Sequence, residues 1–200
     1  MKRALLCAIA CLMILPAAFA ENQNKKKLSA GAISNDAGSN VSDKEIQWMN
    51  IDDVQVAMKK EPRKVWIDVY TDWCGWCKRM DKTTFSNPDV IRYMNEHFYA
   101  VKLDAEQSGD IRFMGKMFAG PNPPAARTPH PFANWLLNGK MSYPTNVVMD
   151  ENFQSPPQPI PGYQDVKTIE MIMKYFGENL YKSTPWAEYQ AGFKGSWVVN

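Results

Sequence analysis

Apolar positions in the first part of the chain predict a helix followed by a buried strand. Ile51, Val54 and Met58 recur at helical spacing, which predicts a first helix that ends before Pro62. The next run, VWIDVY over residues 65–70, is apolar on both faces, as in a strand that helices cover on both sides.

The pattern then repeats. Helix formers from Lys78 to Met80 predict a helix directly behind the strand, and Asn87 with Pro88 supplies start signals for another. The run FYAVKLD predicts a second buried strand over residues 98–103. Because two buried strands joined by helices form a right-handed parallel crossover, the pattern indicates the α/β class.

The second half is less regular. Ile111, Met114 and Met117 predict a short helix, whereas five prolines within residues 120–131 predict an irregular surface loop. Residues 132–137 are predicted to form helical turns that stop at Gly139. A strand over 145–149 and an edge strand within 160–163 follow. The last predicted helix carries Ile169, Ile172, Met173, Phe176 and Leu180 on one face. The predicted order is βαβ, a hairpin and a helix.

The first twenty residues predict export. Lys2 and Arg3 precede an apolar run, and small residues at 18 and 20 form an A-x-A cleavage site, as in a secretory signal peptide over 1–20. A membrane anchor and a lipid on Cys11 are the alternatives. Residues 21–43 are too polar to form a core and are expected to be a disordered leader, which leaves residues 44–200 as one domain. We therefore expect a periplasmic or secreted protein, and membrane association is the alternative.

Removal of the signal peptide changes the charge and the cysteine count. The full chain has 23 basic and 21 acidic residues and four cysteines. Loss of residues 1–20 leaves 21 basic against 21 acidic residues, so nothing favours a nucleic-acid partner. Only Cys74 and Cys77 then remain, and a disulfide between residues three apart closes a loop too short to constrain much of the unfolded chain.

The cysteine pair itself fits redox chemistry better than metal binding. Structural zinc takes four ligands, and beyond the two cysteines the sequence offers His97 and His130, which are expected to be packing residues, so no metal is predicted. A strand that turns directly into a helix places Cys74 at the helix N-terminus, where free N–H groups favour a thiolate. Cys77 follows within bridging reach. The geometry predicts Cys74 as an exposed nucleophile and Cys77 as a more buried resolving cysteine.

The stretch DVYTDWCGWCKRMDKTTFSNPDV resembles the thioredoxin superfamily, and within it the secreted thioredoxin-like thiol:disulfide interchange proteins. The resemblance covers residues 65–180, and the motif WCGWCK at 73–78 carries it. It implies a thioredoxin-like fold with a central mixed sheet flanked by helices and a proline-rich insertion before a cis-proline loop. It also implies a thiol:disulfide oxidoreductase whose redox-active disulfide, Cys74–Cys77, replaces any cofactor.

The resemblance assigns further residues. Asp68 matches the family's buried acid beneath the second cysteine; the alternative is a solvated carboxylate. Lys102 matches the neighbour of that acid on the next strand; the alternative is an ordinary exposed lysine. The residues that resemble the family's substrate-binding surface are Trp73, Gly75, Trp76, the cis-proline loop Tyr143, Pro144 and Thr145, and Gly162. Either tryptophan can also be simply a core residue.

The implied partners are secreted proteins with disulfides or thiols and a membrane-borne thiol donor, and the protein is expected to be a monomer. Trp76 stands where thioredoxins have proline and strongly oxidising relatives have histidine, which leaves open a reduction potential between about −270 and −120 mV. We expect a reductase or interchange protein. A disulfide-donating oxidase, a redox-inactive peptide-binding module and a metallochaperone on the same fold remain alternatives.

Overall fold

A computed structural model describes residues 44–123 and 127–199, which form a mixture of helices and strands. The strands are, in chain order, β1 (Trp48–Met49), β2 (Lys64–Tyr70), β3 (Phe98–Asp104), β4 (Ile111–Phe113), β5 (Lys116–Phe118), β6 (Thr145–Met149) and β7 (Gln158–Pro161). The helices are α1 (Ile51–Lys60), α2 (Gly75–Thr83), α3 (Pro88–His97), α4 (Pro131–Leu136), α5 (Val166–Gly177) and α6 (Trp186–Gly192), with a 3-10 turn at Leu180–Lys182. The predicted signal peptide, leader and lipid on Cys11 lie outside the described residues.

The central sheet has five strands in the order β1-β3-β2-β6-β7. β3 runs parallel to both β1 and β2, whereas β6 pairs antiparallel with β2 and with β7. The register places Asp68 opposite Lys102 on β3 and opposite Asn146 on β6. This mixed sheet with flanking helices confirms the predicted fold class. Among the described residues, no helix has the length and apolar character needed to cross a membrane.

Each face of the sheet is covered by its own core. Val65, Ile67 and Val69 of β2 belong to a cluster with α1, α4 and the β4–β5 hairpin. Trp66 points to the other face, into a cluster with α2, α3 and α5. Because side chains alternate along a strand, Asp68 shares the face of Trp66 and lies in the layer beneath α2. The continuous apolar run over 65–70 is explained by this burial on both sides.

The predicted helix through Ile111, Met114 and Met117 is wrong. These residues lie in the β4–β5 hairpin, which is joined by a two-residue turn with Met114 at φ 50° and Gly115 at φ 76°. Positive φ at both positions is the backbone of the primed turns that suit hairpin twist. Ile111 and Phe113 are buried and Arg112 is exposed, so the true period is two. Met114 and Met117 are exposed, and their three-residue spacing is coincidental.

The proline-rich segment is irregular where it is described, and His130 anchors its end. The His130 ring is fully buried, and its Nδ1 accepts the N–H of Phe132, which caps α4. Its Nε2 therefore carries the proton and donates to the Gly109 carbonyl at 2.9 Å. α4 ends at Leu136, and Gly139 follows in a left-handed conformation that bonds back to Asn134, as predicted from the glycine.

The C-terminal part departs from prediction after α5. This helix ends at Gly177, because Asn179 adopts φ 62°, so Leu180 lies in the 3-10 turn instead of on the helical stripe. The tail beyond α6 returns to α5, where the buried carboxylate of Glu170 accepts the N–H groups of Ser196 and Trp197. Neither β1, α6 nor this return was predicted.

Candidate active site

The two cysteines sit where the end of β2 meets the start of α2. Cys74 is the N-cap of α2, and its Sγ accepts the N–H of Cys77 at 3.0 Å. The pair is joined as a disulfide. In this form Cys74 is 4% and Cys77 3% exposed, so the prediction of an exposed Cys74 beside a more buried Cys77 is wrong for the disulfide form, and exposure does not distinguish nucleophile from resolving cysteine. Their positions differ: the N–H of Cys77, in the first helical turn, points at Cys74 Sγ, and a helix N-terminus is a position that favours a thiolate.

Asp68 is a buried carboxylate in the layer below α2. It is 1% exposed, and burial raises its pKa, although the charge of Lys102 partly opposes the shift. Its Oδ2 accepts from Lys102 Nζ at 2.6 Å, while Oδ1 has no hydrogen-bond partner among the described residues. The alternative of a solvated Asp68 is therefore wrong. A carboxylate with a raised pKa and one free oxygen is suited to accept a proton.

Lys102 is held by charge and by aromatic rings. Its ammonium group bonds both Asp68 and Asp81, and lies 4.9 Å from the ring centroid of Trp48 and 5.4 Å from that of Phe85. Burial alone would lower its pKa, but Asp68 and Asp81 outweigh burial and raise it. Lys102 is thus a partly buried cation and not an ordinary surface lysine. Asp81 was missed, and its position four residues after Cys77 was the available signal.

Two aromatic pairs, each of an exposed tryptophan and a half-buried tyrosine, flank the disulfide. Trp73 is 54% and Trp76 55% exposed, which excludes the interpretation of either as a core residue. The Trp73 ring meets Tyr143 edge-on at 5.9 Å, and the Trp76 ring lies 5.6 Å from Tyr163. Trp73 Nε1 donates to Glu106 Oε1 at 3.0 Å. Tyr163 and Glu106 were not identified from the sequence.

The loop before β6 lies next to the end of β7. The Tyr143–Pro144 peptide bond is cis, as the resemblance implied. The Pro144 carbonyl accepts the N–H of Gly162 at 2.8 Å, and Thr145 Oγ1 donates to the Ser142 carbonyl at 2.8 Å. Gly162 has φ 88°, which requires glycine, while a side chain there would meet open space. A Cβ at Gly75 would likewise meet nothing.

The described residues contain no group of three or more His, Cys, Asp or Glu side chains placed to hold a metal ion. His130 uses both ring nitrogens within its own loop, and the His97 ring stacks on Tyr93 with centroids 4.0 Å apart. Both histidines therefore have local structural roles.

Comparison with known proteins places the cysteine segment in a recognised group. A family model named Thioredox_DsbH and described as a protein of unknown function, DUF255, matches residues 39–120. The thiol:disulfide interchange protein DsbD of Pectobacterium atrosepticum is 44% identical over 46 residues, which is 23% of this chain and 8% of that protein. Mouse spermatogenesis-associated protein 20 is 34% identical over 53 residues, 26% of this chain and 7% of the relative. The chain thus spans less than a tenth of these relatives.

Solved structures give a likeness over a larger share of the chain. The DsbH oxidoreductase aligns with a TM-score of 0.47 and 13% identity, over 67% of this chain and 85% of the other. A thioredoxin-fold protein from Helicobacter pylori aligns with a TM-score of 0.49 and 19% identity, over 65% and 79%.

Four observations point to the same kind of protein. They are the sheet order, the cysteine pair at the start of α2, the cis-proline loop facing β7 and the family match. Residues 39–120 match this family model, and the mixed sheet with a disulfide-bonded cysteine pair at the start of α2 resembles the thioredoxin superfamily and its thiol:disulfide oxidoreductases.

Proposed function

We propose that this protein reduces or exchanges disulfides in exported proteins through Cys74 and Cys77. The observation that carries the proposal is a cysteine at a helix N-cap, bridged to a second cysteine one turn later, above a buried carboxylate with a free oxygen. The named relative DsbD, a thiol:disulfide interchange protein, supports the same chemistry for the matched segment.

The reaction proceeds in two exchanges. The Cys74 thiolate attacks one sulfur of a partner disulfide; the Cys74–partner bond forms, the partner's own S–S bond breaks, and one partner thiolate leaves. Asp68 then takes the proton of Cys77, and the Cys77 thiolate attacks Cys74 Sγ. The Cys74–Cys77 disulfide forms and the second partner thiolate leaves. Two electrons pass from the cysteine pair to the partner.

The surroundings of the pair fit a protein partner. The exposed rings of Trp73 and Trp76 offer apolar contact on both sides of the disulfide. The loop at Pro144 leaves a backbone segment beside the cysteines, where an extended chain can pair with it. Sustained reduction in an oxidising compartment requires resupply of electrons, so we infer a membrane-borne thiol donor as a second partner.

The direction of electron flow is tested by two assays on the same protein. Insulin reduction with a supplied dithiol should proceed, and a Cys77→Ser variant should accumulate covalent adducts with disulfide substrates, while Cys74→Ser forms none. A reduction potential near −120 mV, with faster oxidation of a reduced unfolded substrate and no insulin reduction, would instead assign the oxidase role.

A further inference from the structure

The two sides of the disulfide carry opposite charge. On the Trp73 side, Glu106 accepts the indole N–H at 3.0 Å, and Asp104 accepts the Glu106 backbone N–H at 2.9 Å. On the Trp76 side, the Arg79 guanidinium lies 5.1 Å from the Trp76 ring and 5.5 Å from the Tyr163 ring. An extended chain lying across the cysteines would therefore pass from a negative to a positive surface.

The carboxylates of the negative side form no salt bridges within the described residues. Asp72, Asp104 and Glu106 form no salt bridge with any residue in 44–123 or 127–199. The Arg127 guanidinium, 5.7 Å from the Trp73 ring, is the cation observed on that side. Burial raises the pKa of Asp104, and the charges of Asp72 and Glu106 raise it further, so these carboxylates are close enough to repel one another.

The negative potential reaches the proline loop. Burial raises the pKa of the Tyr143 hydroxyl, and the charges of Glu106 and Asp104 add to the shift. Tyr143 directly precedes Pro144, where the resemblance places the substrate backbone. Glu106 is thus bonded to Trp73 and acts electrostatically on Tyr143, the two rings that form this side of the docking surface.

We propose that Glu106 is a specificity-determining residue that selects disulfide partners with a lysine or arginine next to the attacked cysteine. This inference rests on the proposed function and names its substrate class: an extended polypeptide, basic beside its cysteine on the Trp73 side. A cation there meets a carboxylate and an aromatic ring, whereas an acidic neighbour is repelled. The exchange chemistry at Cys74 is unchanged, and only its rate with different partners differs.

The test measures the first exchange alone. The Cys77→Ser protein, which cannot resolve the adduct, reacts with three peptides that differ only in Lys, Gln or Glu beside the cysteine. Each peptide is supplied as its mixed disulfide with 5-thio-2-nitrobenzoate, and attack on the peptide sulfur releases the coloured thiolate. We expect the Lys peptide to react about fivefold faster than the Glu peptide at low salt. The ratio should approach one at about 1 M NaCl, where the Debye length is about 3 Å.

Glu106→Gln separates charge from structure, because glutamine still offers an oxygen to the Trp73 indole. In this variant the Lys-to-Glu ratio should fall below about twofold. Since the ratio is taken within one protein, a general loss of activity cancels. The matched control is Glu188→Gln on α6, an exposed residue whose helix packs on Tyr175, and it should keep the original ratio.

The possible failures are distinguishable. Equal rates for the three peptides at low salt would overturn the charge selection and leave the proposed function standing. A ratio unchanged by Glu106→Gln would overturn the assignment to Glu106. No thiolate release from any peptide would overturn the proposed function, and this inference with it. If the Glu106→Gln variant does not fold, the salt dependence of the Lys-to-Glu rate ratio, measured on the protein that keeps Glu106, tests the charge selection instead.

Discussion

Replacement of Asp68 by asparagine should slow the second exchange and leave the first nearly intact. The side chains have the same shape, so Asp68→Asn removes a proton acceptor without opening a cavity. Only the second step requires a proton to leave Cys77, whereas the N-cap position of Cys74 favours a thiolate for the first step.

The magnitude follows from the burial of this carboxylate. Asp68 is 1% exposed, so bulk water does not reach its position to act as a base, and its Oδ1 is free of other hydrogen bonds. Loss of a positioned general base at such a site should slow resolution about 100-fold, which corresponds to about 2.7 kcal/mol of barrier. The rate of the first exchange should change less than about threefold.

The assay is a single-turnover time course. Reduced protein is mixed with a disulfide substrate, quenched with an alkylating reagent, and the mixed disulfide is separated on a gel. The Asp68→Asn variant should accumulate the adduct that the parent protein does not. Asp81→Asn is the matched control, because Asp81 also bonds Lys102 but is exposed. If Asp68→Asn left both steps unchanged, the role of Asp68 as proton acceptor would be refuted.

The same variant should change the pH dependence of stability. Because burial raises the folded-state pKa of Asp68, the folded protein binds this proton more tightly than the unfolded chain. The resulting stabilisation is complete below the unfolded value of about 3.9 and is lost as pH rises through the higher folded value. Asp68→Asn should therefore flatten the free energy of unfolding across that interval, as measured by urea denaturation at several pH values.

Three further predictions concern other parts of the molecule. Alkylation of the reduced protein near neutral pH should label Cys74 before Cys77, as read by peptide mass spectrometry, and the reverse order would reverse their roles. His130→Ala should lower the free energy of unfolding by about 2–4 kcal/mol, because the ring is buried and caps α4. His97→Ala should lower it by less than about 1 kcal/mol. Equal losses for the two variants in urea titrations would argue against the role of His130 in anchoring its loop. Gly162→Ala should cost about 1–2 kcal/mol by the same titration because φ is 88°, and a neutral result would show that the loop adapts.

Most of the helices and strands could be predicted from the sequence, because the spacing of apolar residues and local start and stop signals determine them. Apolar runs located β2 and β3, and the strand-to-helix junction placed Cys74 at an N-cap. The hairpin at 111–118 was misassigned because exposed methionines mimicked a helical stripe. Asp81 was missed although its spacing from Cys77 was a usable signal, whereas Glu106 could not be identified, since its role depends on which side chains tertiary packing brings together. No local pattern records that Glu106 meets the Trp73 indole.

The pairing of β7 with β6 determines what the β7 edge of the sheet can bind. The Gly162 N–H donates to the Pro144 carbonyl, and along an antiparallel pair the hydrogen-bonded residues alternate. The backbone N–H and C=O groups of Ile160 therefore also face β6, whereas the backbone groups of residues 159 and 161 point away from it. Both outward residues are prolines, so this edge offers carbonyl groups but no N–H groups at those positions. An incoming strand would find no donors and could not extend the sheet, a safeguard against edge-to-edge association.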